Sequence, residues 1–206
     1  MATASFDLGR VQRIRKLVMG LGILAMVAVA VLTQSLGGET YFHDRLEAFG
    51  QALITLCIVG RAWCSLYIGG RKKDEIVDRG PYSISRNPLY IFSFIGAFGV
   101  GAQTGSVSLA ALFLALTVAV FWFTVKREEA WLAEAFGKTY ADYVARTPRF
   151  GPDFSKWRDE GTLEIRPRFF LTTLRDGLVF ILAVPLFESV EKLQAIGWLV
   201  PILHLP

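Results

Sequence analysis

A polar, turn-rich stretch at residues 78–90 carries the side chains of this sequence that are best suited to chemistry. Two phenol groups and a guanidinium lie close together along it, at Tyr82, Arg86 and Tyr90. Gly80-Pro81 and Asn87-Pro88 mark turns, and Pro88 suits the first turn of a helix, where its missing N–H is no loss. Backbone N–H groups at such a helix start can bind an anionic part of a ligand. The alternative is a basic cytoplasmic loop that only anchors a membrane span.

An acidic pair, Glu128-Glu129, is the second candidate. It follows a long apolar run and lies in an amphipathic pattern that Gly137 is expected to end. Carboxylates at this position can accept hydrogen bonds from hydroxyl or ammonium groups of a ligand. The alternative is a solvated pair whose charges are balanced by Lys126 and Arg127.

Long apolar runs determine the fold class. Four of them cover residues 17–36, 48–69, 88–104 and 107–125. A helix needs about 20 apolar residues to span a bilayer, and helices satisfy the backbone within lipid. Two shorter stretches, 168–187 and 193–205, suit a kinked span and an interfacial or re-entrant helix. The sequence therefore predicts an all-α polytopic membrane protein with about five transmembrane helices.

The third and fourth runs are expected to form a central helical hairpin. Only a short turn at residues 104–106 separates them. Glycines recur through the third run at Gly96, Gly99 and Gly101. Small residues let helices approach closely in membranes, so we expect a neighbouring helix to pack against this face. The alternative is that the glycines leave room for a flat ligand.

Basic residues predict the orientation. Lys and Arg cluster before the first run, between the second and third runs, and after the fourth run. Basic loops stay in the cytoplasm, so the N-terminus, the 70–88 loop and the 126–175 segment are expected there. Both candidate stretches then share one membrane face and can form a cytoplasmic cofactor pocket. The net charge of +4 follows from this rule, which favours anionic membrane lipids rather than nucleic acid as partners.

Few other side chains within the apolar runs and loops suggest chemistry. Arg61 lies inside the second run, where it is either a snorkelling structural residue or a site residue that faces protein. Cys57 and Cys64 are two turns apart on one helix, which is too far for a disulfide. His43 and His204 are expected to be bystanders, and no metal site is predicted.

Two blocks of the sequence resemble a known family. Residues 79–90, Arg-Gly-Pro-Tyr-Ser-Ile-Ser-Arg-Asn-Pro-Leu-Tyr, resemble the Gly-Pro-Tyr…Arg-His-Pro-x-Tyr signature of the integral-membrane methyltransferases. This group includes isoprenylcysteine carboxyl methyltransferase and the phospholipid N-methyltransferases. The later block, from Arg127-Glu128-Glu129 to Pro148-Arg149, is similar to the second signature of the same family. The resemblance covers about residues 45–150 of a single domain, 1–206, and leaves 151–206 as a C-terminal extension.

The resemblance implies S-adenosylmethionine as methyl donor, bound between the hairpin and the 70–88 loop. The residues that it assigns to the cofactor pocket are Gly80, Pro81, Tyr82, Asn87, Pro88, Leu89, Tyr90, Glu128 and Glu129. Arg86 and Arg127 are expected near the reacting centre. We assign Arg61, Tyr140 and Arg149 to the acceptor. This acceptor is expected to be a lipophilic small molecule or prenylated group that enters from the bilayer.

One departure from the family pattern concerns position 87, where Asn87 replaces the common His. An amide cannot carry a proton near neutral pH, so this residue is expected to position groups rather than act as a base. Methyl transfer by in-line displacement depends mainly on holding the reactants in line. A carboxylate acceptor, or one already deprotonated, is therefore favoured.

Two other functions remain open. One is a membrane sterol-type reductase that uses NADPH, a group with a related Arg-His-x-Asn-Tyr loop on a similar helical scaffold. The acidic residue expected soon after the Tyr is absent, since Ile91, Phe92, Ser93 and Phe94 follow. The other is a membrane scaffold of the same fold without turnover, a reading that Asn87 supports.

Overall fold

The computed structural model describes residue 24 and residues 27–35, 41–71 and 74–205, and these are mainly helical. The helices are α1 (27–32), α2 (Tyr41–Ile68), α3 (Pro81–Ile84), α4 (Pro88–Ala102), α5 (Val107–Arg146), α6 (Pro167–Leu178) and α7 (Ala183–Ala195). Short 3-10 helices cover Phe154–Lys156 and Val179–Leu182. Two short strands, β1 (Thr33–Ser35) and β2 (Leu203–Leu205), pair in parallel. The predicted all-α class is confirmed, with this one small strand pair added.

Membrane spans are present, although the predicted count of about five is not confirmed. Within the described residues, three helical segments are long and apolar enough to cross a bilayer: Tyr41–Ile68, Val107–Arg146 and Pro167–Ala195. Helix α4 is apolar but has only 15 residues, a rise of about 22 Å. Most of the first predicted span, 17–36, lies outside the described residues.

The C-terminal stretches differ from the prediction. The expected kinked span is present, because a 3-10 segment joins α6 directly to α7. The expected separate helix at 193–205 is wrong, since α7 ends at Ala195 and the chain turns at Gly197 to reach β2. The Gln194 amide donates to the backbone carbonyls of Val31 and Thr33, at 3.0 and 3.1 Å. The end of the chain is thereby attached to the segment that precedes α2.

Helix α4 lies between α2 and α5 at very short range. A Cβ added to Gly99 would lie 2.7 Å from the backbone oxygen of Gly50 on α2. A Cβ added to Gly101 would lie 2.6 Å from the Cα atom of Ala110 on α5. The expected close packing of this glycine-rich face is confirmed. Because only glycine fits at these positions, the register of α4 against both neighbours is fixed.

Helix α5 is interrupted where the sequence predicts it. Gly137 has φ 49° and ψ −118°, outside the helical region. A left-handed φ of this kind suits glycine best. The helix resumes beyond it, and the two tyrosines of this last part, Tyr140 and Tyr143, are buried. The break thus redirects the end of α5 toward the 78–90 loop.

Candidate active site

The 78–90 loop is held firmly against the rest of the protein. Gly80 adopts φ 54°, and its Cα packs against the Tyr67 ring, so no side chain would fit. Its N–H donates to the Arg158 carbonyl at 2.7 Å, and the Ser83 hydroxyl donates to the Gly80 carbonyl at 2.7 Å. Pro81 is fully buried. The loop is therefore an ordered part of the fold rather than only a membrane anchor.

The same loop folds back on the end of α5. The Arg86 backbone N–H donates to the Pro148 carbonyl at 2.8 Å. The Asn87 amide donates to the Arg149 carbonyl at 3.2 Å. The Tyr143 hydroxyl donates to the Tyr82 carbonyl at 2.8 Å. These three bonds bring the two family-like blocks together.

Tyr90 and Glu128 form the buried centre of this junction. The Tyr90 hydroxyl donates to Glu128 Oε2 at 2.9 Å, and the two residues are 7% and 8% exposed. Phe121 and Val125 pack around Tyr90, with the Phe121 ring centroid 4.7 Å from that of Tyr90. A carboxyl group in such apolar surroundings requires hydrogen-bond partners. The bond therefore joins the first turn of α4 to α5.

Glu129 binds two guanidinium groups. Arg149 donates two hydrogen bonds to Oε2 of Glu129, from Nε at 3.0 Å and from Nη2 at 2.7 Å. Arg86 Nη1 lies 3.4 Å from Oε1 of Glu129. The hydrogen bonds to Glu129 raise the pKa of Arg149 above its ordinary value. Two guanidinium groups around one carboxylate leave N–H groups that can donate to an anionic group.

Two polar atoms beside this ion-pair cluster are buried without a hydrogen-bond partner in the described part of the chain. They are Nε of Arg86 and the hydroxyl of Tyr140. Buried polar groups in native proteins are almost always satisfied. Nε of Arg86 is therefore available to a bound molecule, whereas the Tyr140 hydroxyl lies against the Arg86 guanidinium.

Arg61 faces protein rather than lipid. Its Nη1 donates to the hydroxyl of Ser93 on α4, and that hydroxyl donates to the Leu89 carbonyl at 2.9 Å. The structure thus excludes a snorkelling orientation, since the side chain ends inside the helix pair. Through these two bonds, Arg61 is connected to the first turn of α4, which contains Leu89. The Leu89 side chain packs against the cluster that contains Tyr82 and against the cluster that contains Tyr90.

Arg127 is set apart from the other assigned residues. It is exposed and forms no hydrogen bond or ion pair within the described ranges. Adjacent helical positions point about 100° apart, so Glu128 faces inward while Arg127 faces outward. The remaining residues assigned from the sequence, from Gly80 through Tyr90 and from Glu128 through Arg149, converge on one end of the α4–α5 hairpin.

Aromatic residues that were not assigned also border this end. The Trp122 ring centroid lies 5.4 Å from the Arg149 guanidinium carbon. Phe150 stacks on Trp122 at 6.1 Å and contacts Phe94 at 5.6 Å. Trp122 belongs to an aromatic triplet at the end of the fourth run, typical of a membrane interface. Its position beside Arg149 could not be derived from that pattern.

The sequence is similar to a known protein family and to several known proteins. Residues 48–139 match the model of a family described as phospholipid methyltransferase. The chain is 37% identical over 185 residues to the nickel-cobalt-cadmium resistance protein NccN of Alcaligenes xylosoxydans xylosoxydans, covering 89% of this chain and 86% of that protein. It is 36% identical over 183 residues to the cobalt-zinc-cadmium resistance protein CzcN of Cupriavidus metallidurans, covering 86% and 84%.

A shorter similarity reaches an enzyme. The chain is 30% identical over 102 residues to protein-S-isoprenylcysteine O-methyltransferase of Schizosaccharomyces pombe, covering 48% of this chain and 43% of that protein. No solved structure matches the chain.

Proposed function

Because the chain belongs to an integral-membrane methyltransferase family, the one described as phospholipid methyltransferase, we propose that it transfers a methyl group from S-adenosylmethionine to a lipophilic acceptor within the membrane. The observation that carries the proposal is the junction of the two family-like blocks. There Tyr90 binds Glu128, while Arg86 and Arg149 share Glu129. We place this end of the protein on the cytoplasmic side, following the distribution of basic residues.

The residues at the junction fit the chemical groups of the donor. Its amino-acid carboxylate suits the guanidinium groups of Arg86 and Arg149. Its ribose hydroxyls or ammonium group suit the carboxylates of Glu128 and Glu129. Its adenine and sulfonium groups suit an aromatic surface such as Tyr90. The unsatisfied Arg86 Nε supports this assignment, because a bound ligand would give it a partner.

S-adenosylmethionine supplies the methyl group when bound, and the protein residues orient the reactants. Burial of Tyr90 and Glu128 limits the access of water to these two groups. The Asn87 amide binds a backbone carbonyl, so it holds the loop on α5 and has no proton to take up. An acceptor that needs no base, such as a carboxylate, fits this set of groups.

An apolar groove beside α4 suits the hydrocarbon part of the acceptor. Its volume is about 410 Å³. The residues that line it are Phe49, Leu53, Ile91, Phe94, Ile95, Phe98 and Leu114. Phe94 contacts both Phe121 and Phe150, at 6.0 and 5.6 Å between ring centroids. Phe94 thus connects the lining of the groove with the rings beside Tyr90 and Arg149, and we propose that a lipid chain lying in the groove brings its polar end to the junction.

The similarity to NccN and CzcN suggests a biological setting. Both proteins are named for resistance to divalent metals, and this chain covers most of their lengths. We propose that membrane methylation by this chain contributes to metal tolerance of its host. A non-catalytic scaffold would give the same tolerance. A variant without methyl transfer is therefore needed to distinguish the enzyme from the scaffold. Arg86→Ala should abolish protection if methyl transfer is required, and should protect fully if the protein acts only as a scaffold.

A labelled-methyl assay tests the proposed activity. The purified protein, reconstituted in vesicles, is given labelled S-adenosylmethionine with total lipid or with a panel of prenylcysteines. We expect label in an organic-soluble product, and at least about 100-fold slower labelling with Arg86→Ala. Calorimetry with S-adenosylhomocysteine and with NADPH provides the second measurement. Binding of NADPH alone would favour the reductase, and binding of neither would favour the scaffold.

A further inference from the structure

A second polar cluster lies at the other end of the helices. His43 and Glu47 are one turn apart on α2, and Glu191 comes from α7. His43 Nε2 lies 3.2 Å from Oε1 of Glu47 and 3.2 Å from Oε1 of Glu191. The three side chains are 11%, 24% and 38% exposed, so water can reach the cluster from one side.

This cluster is separate from the methyl-transfer junction. The Gln103 amide, just beyond the end of α4, donates to the Glu47 carbonyl at 2.9 Å. Tyr90 lies at the opposite end of α4, and the 15 residues of that helix rise about 22 Å. The cluster therefore has no part in holding the methyl donor or the groups around it.

The side chains of the cluster are typical ligands of a transition-metal ion. One imidazole nitrogen and two carboxylate oxygens suit Zn²⁺ and neighbouring divalent ions such as Co²⁺. Ligand atoms at about 2.1 Å from a tetrahedral ion lie about 3.4 Å from one another. The two distances of 3.2 Å are close to that value, and the three ligand atoms all lie within 4.8 Å of one another. With the imidazole neutral, two carboxylates balance a divalent charge.

The turn between α4 and α5 orients the imidazole. Gly105 has φ 63°, and a Cβ there would overlap the His43 ring. The ring therefore packs directly on the glycine, with Nδ1 buried and without a hydrogen-bond partner among the residues described. Packing on this turn leaves Nε2 as the nitrogen that faces both carboxylates. The orientation needed for coordination is thus set by the fold and not by the carboxylates alone.

We propose that His43, Glu47 and Glu191 form a binding site for a divalent transition-metal ion. Three protein ligands leave a coordination position open to water or another group, as in exchangeable metal sites. The ion would also join α2 to α7, so its binding should stabilise the folded protein. No metal site was predicted from the sequence, because it has only two cysteines and two histidines, and Glu191 lies far from His43 along the chain. This inference is independent of the proposed methyl transfer.

Metal titration of the purified full-length protein in detergent tests the site. Co²⁺ is added to metal-free protein, its absorption bands report coordination, and Zn²⁺ is used as competitor. We expect saturation at one ion per chain, displacement by Zn²⁺, and a rise in melting temperature on binding. His43→Gln and Glu191→Gln should each weaken Co²⁺ affinity by about tenfold or more, a loss of one ligand.

Glu134→Gln is the control, because Glu134 is an exposed glutamate on α5, beyond Glu128 and so toward the junction end of that helix, and it carries the same charge. It should bind Co²⁺ nearly as well as the unaltered protein. Binding of S-adenosylhomocysteine, or an unchanged melting temperature without metal, shows that each variant is folded. If His43→Gln fails to fold, the Co²⁺ affinity of Glu191→Gln alone tests the site. Absence of saturable binding, or equal affinity in folded Glu191→Gln and Glu134→Gln, would overturn the proposal.

Discussion

The hydroxyl of Tyr90 lies 2.9 Å from Oε2 of Glu128, although the two residues belong to blocks separated by a complete helical hairpin. The contact exists because α4 and α5 are antiparallel and their short turn brings the start of one beside the far part of the other. The adjacent Glu129 faces Arg86 and Arg149. One buried hydrogen bond and one ion-pair cluster thus form the junction to which we assign the proposed function.

Tyr90→Phe should weaken both folding and donor binding. The ring remains packed on Phe121, but a hydrogen bond to a carboxyl group is lost, which costs roughly 1.5–3 kcal/mol. Thermal unfolding in detergent measures this change. Tyr41→Phe is the control for stability, because Tyr41 is exposed to solvent. Equal stability of both variants would contradict a role for the Tyr90 hydroxyl in the fold.

Glu129→Gln should lower S-adenosylhomocysteine affinity by about tenfold, equivalent to 1.4 kcal/mol. The amide oxygen can still accept from Arg149, so the protein should stay folded, while Arg86 and Arg149 lose the charge that orients them. Calorimetry gives the affinity. The matched variant is Glu134→Gln, an exposed position on the same helix. Unchanged affinity in Glu129→Gln would remove the acidic pair from the donor site.

Arg86→Ala and Arg127→Ala separate the two arginines expected near the reacting centre. Arg86 is bound to Glu129, whereas Arg127 is exposed. We expect Arg86→Ala to reduce kcat by at least about 100-fold, because it removes a positioned charge at the junction. Arg127→Ala should retain nearly full turnover in the labelled-methyl assay. The reverse result would show that the outward-facing residue carries the chemistry.

Ile95→Trp should fill the apolar groove and raise KM for the acceptor by about tenfold, while S-adenosylhomocysteine binding stays unchanged. Leu112→Trp provides the control, since Leu112 is an exposed apolar residue outside the groove lining. Kinetics with a lipid or prenylcysteine acceptor measure the difference. An equal effect of both substitutions would mean that the acceptor does not use this groove.

Gly99→Ala should destabilise the protein by about 1–3 kcal/mol, because the added methyl group meets the Gly50 carbonyl and forces α4 away from α2. Gly161→Ala is the control, as nothing lies within 4 Å of its would-be Cβ. Unfolding of both variants in detergent is the measurement. Displacement of α4 should also reduce donor affinity, since the first turn of that helix carries Tyr90.

Much of the architecture is predictable from local patterns. Apolar runs long enough for a bilayer predict membrane helices, and the glycines of the third run predict close packing. Gly137 predicts the break in α5, because its special backbone freedom is a local property. The number of spans was not predictable in the same way. A short helix such as α4 and a helix with a 3-10 segment such as Pro167–Ala195 give hydropathy patterns that resemble full or separate spans.

The sequence alone determined the membrane class, the central hairpin and the two family-like blocks, because hydropathy and turn residues act over neighbouring positions. Only the tertiary structure decided which side chains meet: Arg149 with Glu129, Arg61 with Ser93, and His43 with Glu191. Helical periodicity places residues on a face, but the partner of that face depends on how the helices pack. Contacts between distant segments follow from that packing, and no local pattern contains them.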